Sequence, residues 1–154
     1  MAAAGVPRSS VFLTTKIPGC GETVDHPLLP PCYGNSVAMA QADIEQLGGQ
    51  VDLLLIHFPP LLGCGGAACT KIQQQWTAIE QLYRRNLTRA IGVSNFCEAC
   101  LKCVLANATV PPMVNQVHHC VGPLDIPEHR HPAILLHAVC CRPHTLGLAP
   151  VRRH

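Results

Sequence analysis

The chain has 154 residues, 48% of them hydrophobic, and a formal net charge of +2 at pH 7. This length is typical of one domain and its apolar content suffices for a core, while the scattered basic residues exclude the dense positive patch of a nucleic-acid binder. No apolar run approaches the roughly 18 residues that span a bilayer, so we expect no membrane partner. We expect a cytoplasmic protein, with a short organelle-targeting role of the Ala-rich start as the alternative.

Strand-like and helix-like segments alternate along the first 120 residues. The predicted strands are Val11–Lys16, the apolar run from Val51 to the loop that starts at Pro59, Arg89–Ser94, and Pro112–Val117. The predicted helices run from Asn35 or Ser36 to Leu47, from Thr70 to about Asn86, and from Glu98 to Ala108. Such alternation predicts an α/β fold built from βαβ units around a parallel sheet.

The pattern fails after about residue 120. Residues 121–154 concentrate Pro, His, Arg and Cys, and their one apolar run, Ala133–Val139, suits either a strand or a helix. We therefore predict two parts, an α/β part over residues 1–120 and an unassigned, irregular tail over residues 121–154. A disordered segment and a shifted reading frame are both open interpretations of this tail.

The chain carries ten cysteines, of which Cys97, Cys100 and Cys103 have the two-residue spacing of zinc ligands. They lie in a predicted helix, and Cys64 with Cys69 lacks the spacing of a second ligand pair. A disulfide framework is typical of small secreted chains, and no signal segment is evident here. We therefore predict free thiols that pack as small hydrophobic side chains, and no metal site.

Polar side chains stand at the tips of the predicted strands. His57 follows four consecutive apolar residues, and Ser94 and Asn95 follow another apolar run. Because parallel sheets and barrels place ligands at the carboxyl ends of their strands, these residues predict a site at one rim. Each residue also has a structural role as the alternative to ligand binding. His57 can bond to backbone, Ser94 or Asn95 can be the N-cap of the following helix, and Lys16 can end its strand at the surface.

Four segments in this order resemble the aldo-keto reductase family over about residues 10–120: VFLTTK, VDLLLIHFP, WTAIEQLYRRNLTRAIGVSNF and VNQV. The resemblance implies a (β/α)8 TIM barrel that reduces aldehydes or ketones with NADPH, or less often NADH. It implies that this chain supplies roughly strands 3 to 6 with their helices, which is a partial barrel. The implied partner is therefore a small carbonyl substrate.

The resemblance also assigns roles to residues. Lys16 matches the lysine that lowers the pKa of the family's proton-donating tyrosine, and His57 matches the histidine that holds the substrate carbonyl; both are implied catalytic residues. Phe58 falls where the family has a tryptophan in the substrate pocket. Ser94, Asn95 and Gln116 match the residues that bind the nicotinamide carboxamide of NADP.

The sequence departs from the family in two places. The tyrosine and its partner aspartate belong before Lys16, where MAAAGVPRSSVFLTT contains neither type, and Ile126-Pro127 does not continue into the family's adenosine-phosphate segment. We therefore expect weak NADP binding and a truncated, inactive chain. The alternatives are a non-catalytic half barrel that pairs with itself or an intact relative through open sheet edges, and a cysteine-based zinc or redox module.

Overall fold

The structure, a computed structural model, describes residues 5–20, 32–60 and 63–117. Four strands alternate with three α-helices in these ranges, after a single 3-10 turn at Arg8–Ser10. In chain order they are β1 Thr14–Ile17, α1 Cys32–Gln46, β2 Leu53–Ile56, α2 Gly66–Arg84, β3 Ile91–Ser94, α3 Glu98–Leu105 and β4 Asn115–Gln116. The predicted tail, with its Ala133–Val139 run, lies outside the described residues.

The strands form one parallel sheet in the order β1-β2-β3-β4. Lys16 of β1 lies opposite Leu55 of β2, and Leu55 in turn lies opposite Gly92 of β3. A doubly wound sheet reverses its strand order at a switch point, whereas a (β/α)8 barrel keeps strands in chain order. The predicted α/β alternation is confirmed, and the order is that of a barrel arc.

The core lies where the helices pack on the sheet. All four residues of β2 are buried, as its continuous apolar sequence predicts. Helix α2 buries one apolar stripe at three- and four-residue steps, because Ile72, Trp76, Ile79 and Leu82 are at most 1% exposed. Trp76 also donates a hydrogen bond from Nε1 to the backbone oxygen of Val110, at 3.0 Å, which ties α2 to the segment that leads into β4.

A buried carboxylate lies at the amino-terminal ends of the strands, opposite the strand tips. Asp52, just before β2, accepts hydrogen bonds from the Leu13 backbone N–H at 2.9 Å and from Arg8 at 2.7 Å. Arg89 donates to its other oxygen at 3.0 Å. The Leu13 N–H and the two guanidinium groups lower the pKa of Asp52 to about 2. The starts of β1, β2 and β3 are thereby held together.

Several predicted boundaries differ from the observed ones. Helix α2 begins at Gly66 instead of Thr70, and its extra turn carries Cys69, whose sulfur reaches α3. Strand β4 has two residues instead of the six predicted, although Met113 and Val114 before it still bond to β3, and Pro112 has no N–H to contribute. Helix α3 ends at Leu105, three residues before the predicted Ala108.

The expectation of free thiols is wrong for six of the seven described cysteines. Disulfides join Cys20 to Cys32, Cys64 to Cys100, and Cys69 to Cys103, with Cα atoms 5.7, 4.9 and 5.7 Å apart. Cys97 is the free one. The last two pairs span 36 and 34 residues, so they depend on the packing of α2 beside α3, which cysteine spacing does not reveal.

Candidate functional site

The strand tips surround an open cavity of about 290 Å³. Five of the six residues that the sequence predicts for a site line this cavity, together with a valine that it does not. The lining residues are Lys16, His57, Ser94, Asn95, Gln116 and Val117. The structure thus brings together polar groups from all four strand tips.

Parallel pairing explains this convergence. Lys16 lies near the end of β1, His57 directly follows β2, and the His57 N–H donates to the Ile17 oxygen at 2.8 Å. Ser94 and Gln116 are the last residues of β3 and β4 and lie opposite each other in the register. Since the strands run in one direction, all their carboxyl ends share one edge.

Hydrogen bonds fix the polar tips against one another. Asn95 Nδ2 donates to the His57 backbone oxygen at 3.0 Å and to Ser94 Oγ at 3.1 Å. Ser94 Oγ donates to the Gln116 backbone oxygen at 2.7 Å. Asn95 has a φ of 60°, in the left-handed region that asparagine tolerates better than most residues. This turn of the backbone carries Asn95 across the tip of β2.

Two of the alternative interpretations are excluded. The N-cap of α3 is Cys97, and no side chain caps this helix, so Ser94 and Asn95 are not its N-caps. Within the described ranges the His57 ring makes no hydrogen bond to backbone, and it stacks on Phe58 with ring centroids 4.2 Å apart. The ring nitrogens of His57 therefore remain available to a ligand.

Phe58 does not line the cavity and is 38% exposed. Its ring lies beside that of His57 at an interplanar angle of 35°. Its predicted substrate-binding role stays a prediction.

Lys16 gives the cavity its positive charge. It is half-buried, and no other described residue bonds to its Nζ. Neither tyrosine of the chain lines this cavity, since Tyr33 donates its hydroxyl proton to Gln81 Oε1 in a contact between α1 and α2, and Tyr83 lies within α2. A cation beside amide and imidazole groups favours an electron-rich oxygen of a ligand.

Two glycines allow the tips to approach closely. A Cβ on Gly92 would lie 2.5 Å from the Val114 backbone oxygen and 2.8 Å from a Leu55 methyl group, and one on Gly19 would overlap the Phe58 backbone oxygen. Only hydrogen fits at these positions. Gly92 thereby sets the spacing of β3 and β4, and Gly19 that of the loops after β1 and β2.

Sequence reasoning missed two buried amides that support the site. Asn115 donates from Nδ2 to the Phe96 oxygen at 2.8 Å and accepts from the Phe96 N–H at 3.3 Å, which holds the loop after β3. Gln75 of α2 donates to the Pro18 oxygen at 2.8 Å and accepts from the Cys20 N–H at 3.2 Å, which holds the loop after β1. A sequence signal exists for Gln75, which stands three residues after Ile72 and next to Trp76 on the buried face of α2.

Comparisons with known proteins agree on one family. The Aldo/keto reductase family model matches residues 1–150. The 9,11-endoperoxide prostaglandin H2 reductase of Trypanosoma cruzi is 35% identical over 114 residues, and the glyoxal reductase of Bacillus subtilis is 34% identical over 114 residues. Each alignment covers 73% of this chain.

The fold agrees as well. A solved complex of a silkworm aldo-keto reductase with NADPH superimposes with a TM-score of 0.53 at 29% identity, and covers 75% of this chain and 33% of that one. The prediction of a partial (β/α)8 barrel is thereby confirmed. The chain spans about a third of the length of the curated relatives that it matches. Within the described ranges, no helix combines the length and apolar character that crossing a bilayer requires.

Proposed function

Since the chain belongs to the aldo/keto reductase family, we propose that its strand tips form the nicotinamide- and carbonyl-facing part of an NADP-dependent carbonyl reductase site. The substrate class is a small aldehyde or ketone, which the site reduces to an alcohol. One observation carries the proposal: five polar side chains from four successive strands line a single cavity of about 290 Å³.

The amide groups in this cavity fit a nicotinamide. A carboxamide offers one acceptor oxygen and two N–H donors. Asn95 Oδ1 and the Gln116 side-chain amide bond to no other described residue, so they can supply the complementary acceptor and donor. Ser94 Oγ bonds to the Gln116 backbone oxygen and to Asn95 Nδ2, so it limits the movement of both residues. When bound, the cofactor supplies a hydride, and these residues decide which face of its ring points into the cavity.

His57 and Lys16 would act on the substrate carbonyl. As hydride reaches carbon, negative charge develops on the carbonyl oxygen, and a preorganised N–H donor and a cation stabilise that charge. The His57 ring is held by its stacking on Phe58 and by backbone bonds at both the N–H and the oxygen of this residue. Phe58 contacts the His57 ring, and through this contact it would influence the choice of substrate.

Two features suggest that this chain alone binds the cofactor weakly and turns over little. None of the six lining residues has a phenolic proton to give to the oxygen, and Lys16 is the single cation among them. The phosphates of a dinucleotide contribute much of its affinity when basic side chains or a helix N-terminus contact them. We propose that a tyrosine beyond these lining residues is needed for proton transfer.

A steady-state assay tests the proposal. The full chain and the Lys16→Met variant are given NADPH and a reactive aldehyde, and the loss of NADPH absorbance is followed. Lys102→Met, an exposed position on α3, is the matched control. We expect all three proteins to oxidise NADPH at the background rate. Turnover by the unmodified chain and the control above that of Lys16→Met would contradict the expected inactivity while supporting the assignment of Lys16.

A second candidate function is that of a non-catalytic partner for another barrel segment. Within the described ranges, β1 and β4 pair on one side only. An unpaired parallel edge presents backbone N–H and C=O groups that can accept a further strand, from a second copy or from an intact relative. Size-exclusion chromatography with light scattering tests this, and a monomer that binds no apolar dye would count against it.

A further inference from the structure

Three sulfur atoms converge away from the strand-tip cavity. The Sγ atoms of Cys64, Cys97 and Cys100 all lie within 4.8 Å of one another. Cys64 precedes α2, whereas Cys97 and Cys100 lie at the start of α3. The Sγ atoms of Cys97 and Cys100 are 3.4 Å apart. None of the three residues lines the strand-tip cavity, so this cluster is independent of the proposed reductase site.

We propose that, in the reduced chain, Cys64, Cys97 and Cys100 form a three-thiolate site for a thiophilic divalent ion of the zinc type. Zinc–thiolate bonds of about 2.3 Å in a tetrahedral arrangement place sulfur atoms about 3.8 Å apart. The observed separations lie close enough for side-chain rotation to bring the sulfurs around one ion. The fourth position of the tetrahedron is left to water.

The ligand set differs from the one that spacing alone indicates. Cysteine spacing groups Cys97, Cys100 and Cys103, but the Cys103 sulfur turns to Cys69 and contacts the Cys69 backbone oxygen at 3.3 Å. Cys64 takes its place, from a segment more than thirty residues earlier. A pair with two-residue spacing plus one distant cysteine is an arrangement that zinc sites use.

The cluster lies at the N-terminal end of a helix. Cys97 is the N-cap of α3 and Cys100 lies in its first turn, where the backbone N–H groups and the helix dipole stabilise negative charge. No side chain caps this helix end. Cys100 is 1% exposed and the other two are half-buried, so a bound ion would be shielded from bulk water on one side. Metal binding would displace the thiol protons into solution.

Disulfide formation and metal binding are alternative uses of the same sulfurs. The Cys64–Cys100 disulfide removes two of the three ligands, so the oxidised chain is left with Cys97 alone. Reducing compartments such as the cytoplasm, in which we expect this chain, keep thiols reduced. The proposed site therefore requires the reduced protein.

Titration with Cd²⁺ as the probe tests this site. The full chain is reduced with a non-thiol phosphine, and the thiolate-to-metal charge-transfer absorption is recorded. Cys64→Ser and Cys97→Ser remove proposed ligands, whereas Cys20→Ser and a Cys140→Ser, Cys141→Ser double variant are the controls. Far-ultraviolet circular dichroism and Trp76 fluorescence establish that each variant is folded.

We expect one equivalent of Cd²⁺ to bind the reduced chain and both controls. Cys64→Ser and Cys97→Ser should each weaken binding at least tenfold, and the oxidised chain should show no charge-transfer band. Unchanged binding by the folded Cys64→Ser and Cys97→Ser variants would overturn the proposal, because the ion would then sit on other cysteines. Absence of the band in the reduced chain would overturn it equally.

Discussion

Gly92 is the position at which the smallest substitution should most disturb the strand tips. In Gly92→Ala the new methyl group would lie 2.5 Å from the Val114 backbone oxygen and 2.8 Å from a Leu55 methyl group. The Leu55 side chain can rotate away, but Val114 belongs to the backbone that leads into β4. Relief of the clash therefore moves β4 away from β3.

The magnitude follows from these contacts. A carbon and an oxygen approach to about 3.3 Å, so the Val114 oxygen must retreat by about 0.8 Å. Overpacking of this kind costs about 1–3 kcal/mol, and weakening the 2.9 Å hydrogen bond from the Val93 N–H to the Val114 oxygen adds about 1 kcal/mol. The reduced flexibility of the unfolded chain returns about 0.5–1 kcal/mol. We expect a net loss of about 2 kcal/mol in the free energy of unfolding.

Urea denaturation measures this loss, because the single tryptophan, Trp76, is buried and reports unfolding by its fluorescence. With a denaturant slope of about 1.5 kcal/mol/M, the midpoint should fall by about 1.3 M. Gly65→Ala is the matched control, since a Cβ there meets nothing within 4 Å. Equal midpoints for Gly92→Ala and Gly65→Ala would refute the reasoning.

Two further predictions concern buried carboxylates. The pKa of Asp52 is lowered to about 2, so its ionised form stabilises the fold above its ordinary value of 3.8, and this stability is lost as pH falls through about 2. Asp52→Asn should thus be less stable than the unmodified chain at neutral pH, and it should lose less stability between pH 4 and pH 2. Thermal unfolding across this pH range measures the difference. Parallel pH profiles of stability for the two proteins would contradict this prediction. Glu80 accepts the Thr109 and Val110 N–H groups, both at 2.7 Å, so Glu80→Ala should cost about 2–4 kcal/mol in urea denaturation. Glu45→Ala, at an exposed position of α1, should cost under about 0.5 kcal/mol, and a similar cost at both positions would contradict the burial argument.

Much of the fold could be predicted from the sequence because its signals are local. The apolar run before His57 and the alternation of strands and helices each depend on residues close in the chain, and both are confirmed. The length of β4 depends on its pairing with β3, which the local sequence does not show. The sequence therefore predicts a longer strand than the one observed. The cysteine pairs depend on how α2 packs beside α3, which no local pattern encodes.

The candidate site was partly predictable for the same reason. Polar residues that end parallel strands must share an edge, and Lys16, His57, Ser94, Asn95 and Gln116 do. Phe58 follows His57 but does not line the cavity, and its ring lies against that of His57. Gln75 and Asn115 act on backbone atoms of distant loops, so their partners became visible only in the fold.

The most direct measurement is a titration of the ¹⁵N-labelled chain with NADP⁺, followed by NMR of its side-chain amides. The Asn95 and Gln116 amide signals should shift together at high NADP⁺ concentration, while that of Gln74, exposed on α2, should stay in place. Lys16→Met should retain these shifts, whereas Gln116→Leu should lose the shift of Asn95. Shifts elsewhere on the chain with Asn95 and Gln116 unmoved would contradict the proposed nicotinamide site.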